Sequence, residues 1–133
     1  MSNLMNQRLR FLVVEDEPLL LDANSEQVAE WFPGAEVIKA TSGNEAQDQL
    51  KQNSNFNLII SDSQMPNGTG TELLKFCEES KLEVPVVIFH GGQTSREELK
   101  NASKNCVEIV TKPRLDELKE VAERIINGSI RVL

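Results

Sequence analysis

Four charged residues that could perform chemistry stand at or just after the ends of short apolar segments: Glu15, Asp16, Asp62 and Lys112. If these segments are parallel strands, and the first and third are neighbours, the side chains meet at one edge of the sheet, where ligands bind. Three carboxylates so close repel one another, and a hard divalent cation such as Mg²⁺, which takes oxygen ligands, relieves the repulsion. Lys112 could then pair with a carboxylate or with a phosphoryl group bound to it.

The apolar segments themselves have the character of strands that are buried on both faces. Most are rich in Val and Ile, and two contain unbroken apolar stretches, which is typical of a parallel sheet. Five such segments occur along the chain: Phe11–Val14, Glu36–Ala40, Leu58–Ile60, Val84–Phe89 and Val107–Val110. Amphipathic stretches of helical length follow them, so the pattern predicts five strand–helix units in a three-layer α/β sandwich.

Local signals predict where several helices begin and end. Ser42 with Glu45, and Thr94 with Glu97, have the spacing of capping boxes at the starts of the second and fourth helices. Gly128 is placed to end the fifth helix. These boundaries agree with the alternation of strands and helices.

The composition describes one acidic domain. The chain has 133 residues, with 14 Lys or Arg against 21 Asp or Glu and a formal net charge of −7. This charge argues against binding to nucleic acid or anionic lipid through bulk positive charge. No apolar segment approaches the length of a membrane span, and the N-terminus lacks a signal peptide's apolar region. Because its two cysteines, Cys77 and Cys106, lack metal-ligand spacing, the sequence predicts a cytoplasmic protein with reduced thiols.

Three motifs, in order along the chain, resemble the receiver domain of two-component response regulators. They are the first strand with its acidic pair, FLVVEDEP at 11–18; a D-x-x-M-P-x-x-x-G motif running from Asp62 to Gly70; and the pair Lys112-Pro113. Each motif is weak evidence alone, but together they cover nearly the whole chain. The resemblance implies a flavodoxin-like α/β/α sandwich around a five-stranded parallel sheet of order 2-1-3-4-5. The domain is expected to span residues 8–128, with short tails at 1–7 and 129–133.

The resemblance also implies a role for each residue of the site. Asp62 would be the nucleophile that accepts a phosphoryl group from a phosphohistidine, and Lys112 would contact the acyl phosphate. Asp16, Asp62 and the backbone carbonyl of Gln64 would bind Mg²⁺, with Glu15 acting through water. The implied partners are a sensor histidine kinase or phosphotransfer protein and a downstream protein target, with no direct contact to nucleic acid or membrane.

Two positions depart from the family pattern in the region that usually changes conformation. His90 stands where receivers have a Thr or Ser at the end of the fourth strand, and Ile109 replaces an aromatic residue of the fifth. Arg114 also replaces the usual Phe after the Lys-Pro pair. A functional reading of His90 is a donor to a phosphoryl group or a pH-sensitive cation; the alternative is a loop residue above the site.

Two other functions are left open by the residues. The first is a degenerate receiver, a protein-interaction module that works without phosphorylation, which His90 and Ile109 favour and Asp62 and Lys112 oppose. The second is a small metal-dependent phosphohydrolase, which is disfavoured because Gln64 stands where an acid or base would be needed. The expected receiver promotes only its own phosphorylation and hydrolysis, so it is not an enzyme with ordinary turnover. No effector domain follows Leu133, so output is expected through protein contacts unless the chain is a fragment of a longer protein.

Overall fold

The computed structural model describes residues 8–92 and 95–132 of the chain. Strands and helices alternate along these residues, and each strand is followed by a helix. The elements are β1 (Arg10–Val14), α1 (Pro18–Trp31), β2 (Glu36–Ala40), α2 (Gly43–Gln52), β3 (Leu58–Ser61), α3 (Gly70–Glu79), β4 (Val86–His90), α4 (Arg96–Ala102), β5 (Cys106–Thr111) and α5 (Leu115–Ile126).

The five strands form one parallel sheet in the order β2-β1-β3-β4-β5. Strand β1 lies between β2 and β3, with Leu12 opposite both Ile38 and Ile59. The predicted fold class, strand order and neighbourhood of the first and third strands are therefore confirmed.

Each face of the sheet has its own apolar core because successive strand residues point to opposite faces. Leu12 and Val14 pack with buried residues of α2, α3 and α4, whereas Phe11 and Val13 pack with those of α1 and α5. The result is the predicted three-layer sandwich. Helices cover both faces of the central strands, so a ligand can reach polar side chains of the sheet only at the strand ends.

The helix starts follow the predicted chemistry with one change. Ser42 caps α2 by accepting the Glu45 N–H at 3.1 Å, as its spacing predicts. Thr94 lies outside the described residues, and α4 is capped one residue later by Ser95, which accepts the Glu98 N–H. Both pairs share the same three-residue spacing, so the sequence alone cannot decide between them.

The residues after α5 continue along the core on the α1 and α5 face. The Ser129 and Ile130 N–H groups both donate to the Arg124 carbonyl, at 2.8 and 3.2 Å, and Ile130 packs against that core. The expected N-terminal tail at 1–7 lies outside the described residues. Within the described part of the chain, no helix combines the length and the apolar character that a membrane crossing requires.

Candidate functional site

Backbone pairing in the sheet places the charged residues at the same level along its carboxyl edge. Glu15 follows β1 directly, Asp62 follows β3, and Lys112 follows β5. The Asp62 N–H donates to the Val14 carbonyl at 3.0 Å, and the Lys112 N–H donates to the His90 carbonyl at 2.7 Å. Strand pairing thus extends one residue past the strands and holds these backbones in register.

Three carboxylates meet at this edge, as the sequence predicts. Glu15, Asp16 and Asp62 each offer an oxygen, and the three oxygens lie within 4.8 Å of one another. Carboxylate oxygens at this spacing are the hard donors that Mg²⁺ prefers, so the residues present fit that ion.

Lys112 bridges two of the carboxylates. Its Nζ lies 2.6 Å from Glu15 Oε1 and 3.1 Å from Asp62 Oδ2. The Glu15 side chain is only 3% exposed, against 15% for Asp62 and 19% for Lys112. Because water hardly reaches Glu15, Lys112 is its principal source of charge compensation.

Backbone amides hold the other oxygen of each bridged carboxylate. Asp62 Oδ1 accepts the Ser63 N–H at 2.7 Å, and Glu15 Oε2 accepts the Glu17 N–H at 3.2 Å. Both carboxylates are therefore held in fixed orientations before any ligand arrives.

Burial raises the pKa of Glu15 above its ordinary value, because a carboxylate loses solvation there; the Lys112 hydrogen bond acts against this shift, and the charge of Asp62 adds to it. Burial lowers the pKa of Lys112, but its bonds to Glu15 and Asp62 outweigh burial, so the pKa is raised overall. The lysine is consequently a cation at neutral pH. Asp16 completes the cluster, so three carboxyl groups lie together where Lys112 bonds two of them.

Gln64 lies in the loop between β3 and α3, on the same edge of the sheet, with an exposed side chain. The Gly70 N–H donates to the Ser63 carbonyl at 2.9 Å, which closes the loop around Gln64. The role of the Gln64 carbonyl as a metal ligand stays a prediction.

His90 and Ile109 are both buried in the protein interior. His90 is the last residue of β4 rather than a loop residue, and its side chain is buried. Its Nδ1 is enclosed without a hydrogen-bond partner among the described residues. Ile109 pairs with Ile88 across β4 and β5 and is 2% exposed in the core on the α3 and α4 face.

An apolar groove beside the cluster was missed by the sequence analysis. It measures about 260 Å³ and is lined mainly by α1 and the β5–α5 connection, including Leu20, Phe89, Lys112, Pro113 and Leu115. A signal was present in the run Leu19–Leu21, since a helix that covers a sheet buries only part of its circumference. Only Leu21 faces the core, while Leu19 and Leu20 are 77% and 42% exposed.

We expect Mg²⁺ to bind weakly at Glu15, Asp16 and Asp62, because it offsets the repulsion among their carboxylates. NMR titration should show saturable amide shifts at these residues and at Gln64. Asp16→Asn should weaken binding by about tenfold or more, since it removes one charged ligand. The matched control is Asp48→Asn on the exposed face of α2, which should bind as the wild type does. An absence of shifts at tens of millimolar Mg²⁺ would contradict this prediction.

Comparison with known protein families matches residues 11–123 to the response regulator receiver domain. Among curated proteins, the chain is similar to the glycerol metabolism activator of Pseudomonas putida, with 28% identity over 123 residues. That match covers 91% of this chain and 55% of the activator, so the chain spans about half the length of this relative.

Solved structures give the same relationship. The response regulator protein TrrA from Thermotoga maritima, in complex with Mg²⁺ and BeF, is 30% identical; the match covers 88% of this chain and 98% of that one, with a TM-score of 0.77. A CheY-like receiver domain protein from Methanospirillum hungatei is 27% identical, with coverages of 92% and 98% and a TM-score of 0.75.

Proposed function

This chain belongs to the response regulator receiver domain family of two-component signalling, and we propose that it accepts a phosphoryl group on Asp62 from a phosphohistidine. The observation that carries the proposal is the position of Lys112, which binds Asp62 and Glu15 at once inside a cluster of three carboxylates. A nucleophilic carboxylate beside a fixed cation and a place for a divalent metal suits phosphoryl transfer.

In this mechanism the Asp62 carboxylate is oriented before the phosphoryl donor binds. The Ser63 amide and the Lys112 ammonium hold its two oxygens, so little rotational freedom remains to be lost during the reaction. An oxygen of Asp62 forms the new bond to phosphorus, while the bond from phosphorus to the donor imidazole nitrogen breaks and leaves its electron pair on that nitrogen. Lys112 stabilises the negative charge on the phosphoryl oxygens.

The Mg²⁺ ion, when bound, neutralises charge on the carboxylates and on the phosphoryl oxygens. Asp16, Asp62 and the Gln64 carbonyl would hold it. The Glu15 side chain is only 3% exposed, against 15% for Asp62, and it holds the shorter bond to Lys112, which supports a role for Glu15 through water rather than as a direct ligand. TrrA, which is 30% identical, was solved with Mg²⁺ and BeF, and beryllofluoride imitates a phosphoryl group.

The proposed donor is a sensor histidine kinase or a phosphotransfer protein. The apolar groove supports this, because Lys112 and the exposed Leu20 both line it, and the neighbouring Leu19 in α1 is more exposed still. A partner that buries these leucines would come to lie beside Asp62. For output, we propose a downstream protein rather than nucleic acid, because the net charge of −7 opposes direct binding to phosphate backbones.

The cytoplasm is the proposed compartment, where thiols stay reduced. Cys77 and Cys106 are free and buried, and burial raises their pKa to about 12 and about 11. Such thiols are protonated and unreactive at neutral pH, so they behave as small core residues.

The proposal is tested by incubating the protein with Mg²⁺ and acetyl phosphate and measuring intact mass. We expect one added phosphoryl group per chain, removed by hydroxylamine as an acyl phosphate is. No adduct would instead favour the phosphorylation-independent interaction module, for which the altered His90 and Ile109 are the specific observation. Multiple turnovers of a small phosphate ester would favour the phosphohydrolase.

Phosphorylation should displace the surface formed by α4, β5 and α5 less than it does in typical receivers. Coupling requires an element with two states, one of which the phosphoryl group binds better. Ile109 is β-branched, buried and apolar, so it gains nothing from alternating between core and solvent. We expect partner affinity to change only a few-fold, about 1 kcal/mol of coupling.

NMR spectra with and without beryllofluoride measure this displacement. Large shifts spread over residues 90–120 would show that another switch exists. His90→Thr combined with Ile109→Tyr restores the usual hydroxyl and aromatic pair, so it should enlarge the response. His90→Thr alone is the matched control and should not.

A further inference from the structure

The first turn of α2 is bonded to the loop between β3 and α3, here the β3–α3 loop (62–69). The Gly43 N–H donates to the Gly68 carbonyl at 2.9 Å, and the Asn44 N–H donates to the Asn67 carbonyl at 3.0 Å. The first N–H groups of a helix have no partner within the helix. Two of these free donors in α2 are therefore used to hold a loop that is distant in sequence.

The remaining donors of this turn are satisfied locally. The Glu45 N–H donates to Ser42 Oγ at 3.1 Å, and the Ala46 N–H donates to the Ser42 carbonyl at 3.0 Å. The amides from Gly43 to Ala46 thus all have partners, and the helix start is held by Ser42 and by the loop.

Two glycines make the close approach possible. A Cβ on Gly43 would lie 2.6 Å from the Gly68 carbonyl oxygen and 2.9 Å from that of Thr69. A Cβ on Gly68 would lie 2.5 Å from the Asn44 nitrogen, and Gly68 also has a φ of +112°. These are contacts with backbone atoms, which cannot rotate away as a side chain could, so either substitution must separate helix from loop.

The same loop is tied at its ends to the acceptor site. The Gly70 N–H donates to the Ser63 carbonyl, and a Cβ on Gly70 would lie 2.5 Å from the Asp62 carbonyl oxygen. Met65 anchors the middle of the loop in the core and is only 5% exposed. Gln64 therefore lies on a segment held at its start, its middle and its end.

The contact between α2 and the β3–α3 loop also links the backbone at Glu15 to the backbone at Asp62. The Glu15 N–H donates at 3.0 Å to the carbonyl of Ala40, the last residue of β2, and α2 begins three residues later at Gly43. From Gly43 the contact passes to Gly68 and through the loop to Asp62. A path of backbone and backbone hydrogen bonds through β2, α2 and the β3–α3 loop thus connects Glu15 with Asp62.

We propose that Gly43 and Gly68 are positioning residues of the metal and acceptor site, through which α2 sets the place of the β3–α3 loop. The inference rests on the proposed function, because it assigns the loop the task of presenting Gln64 beside Asp62. Neither glycine has a side chain that could bind the metal or the phosphoryl group. Both act through the main chain of the loop.

The test compares Gly43→Ala, Gly68→Ala and the double variant with the wild type and with Gly34→Ala. Gly34 has a φ of +88° and no atom within 4 Å of its would-be Cβ, so Gly34→Ala strains the backbone without moving the loop. Mg²⁺ affinity is measured by NMR well below the melting temperature, and folding is checked by urea denaturation. We expect each loop variant to lose about tenfold in affinity, as supporting groups around metal sites do. The double variant should lose little more, since the contact is already broken, and Gly34→Ala should bind normally.

Normal Mg²⁺ binding by folded Gly43→Ala and Gly68→Ala would overturn the inference and leave the proposed function intact. An equal loss in Gly34→Ala would also overturn it, by tracing the effect to general destabilisation. If the wild type binds no Mg²⁺ and takes up no phosphoryl group, the proposed function fails and this inference falls with it. If the loop variants do not fold, the wild-type protein provides the test. Mg²⁺ must then change the NMR chemical shifts of the Gly43 and Asn44 amides, and unchanged shifts would contradict the proposal.

Discussion

Asp62→Asn is expected to gain no phosphoryl group during incubation with Mg²⁺ and acetyl phosphate, whereas the wild type gains one. The amide keeps the size of the side chain but removes the carboxylate that we propose as the nucleophile. Glu15 also bonds Lys112 within the carboxylate cluster, but its side chain is only 3% exposed, against 15% for Asp62. Asp62 alone lies in the D-x-x-M-P motif, so no other acidic residue should replace it. Intact mass spectrometry measures the difference directly.

Two control variants separate this result from indirect effects. Asp16→Asn keeps Asp62, the proposed nucleophile, and loses a proposed metal ligand, so its phosphorylation should be greatly reduced rather than abolished. Asp48→Asn lies on an exposed part of α2 and should react at the wild-type rate. An acyl phosphate that persists in Asp62→Asn would show that the acceptor has been misassigned.

Lys112→Met should destabilise the folded protein at neutral pH by about 3 kcal/mol, because it leaves Glu15 buried without its cation. The same change should raise the pKa of Glu15 further, since the bond that opposed the effect of burial is gone. A carboxyl group whose folded-state pKa is raised binds its proton more tightly in the folded state. Its contribution to stability is then fully present below the ordinary pKa of 4.5 and is lost as pH rises through the folded-state pKa. The deficit of Lys112→Met relative to the wild type should therefore grow with pH and level off.

Urea denaturation over a range of pH measures this deficit. Lys39→Met is the matched control, because Lys39 pairs with Asp22 at 2.9 Å while both side chains are about half exposed. Exposed pairs contribute little, so this variant should lose less than about 1 kcal/mol and show no such pH dependence. Equal losses in the two variants would mean that Glu15 does not depend on Lys112.

The five strand–helix units and the edge at which the charged residues lie could be predicted from local patterns, whereas the strand order 2-1-3-4-5 was implied by the resemblance to receiver domains. Five apolar segments fixed the number and character of the strands, and once β1 lies beside β3, Glu15 and Asp62 must converge. Lys112 could be placed beside them because it follows β5, whose carboxyl end lies at the same edge of the parallel sheet. The roles of Gln64, His90 and Ile109 as ligand and switch positions stay predictions.

Other features depend on distances that no local pattern encodes. Gly43 and Gly68 look like ordinary helix-start and turn residues until the tertiary structure brings their backbones together. Leu19 and Leu20 look like core residues until the sheet shows that only Leu21 faces inward. The sequence predicted Thr94 as the capping residue of α4, whereas the structure has Ser95 there, because two residues that can cap a helix follow each other in sequence.

The bridge formed by Lys112 can form only late in the folding of the chain. Its two hydrogen bonds join residues 97 and 50 positions apart along the chain, so they close very long loops. The site is consequently among the last parts of the molecule that can assemble, because a nascent chain that ends before β5 contains Asp62 but not Lys112. Competence to accept a phosphoryl group should then appear together with complete folding, and phosphorylation would select finished molecules over partly folded ones.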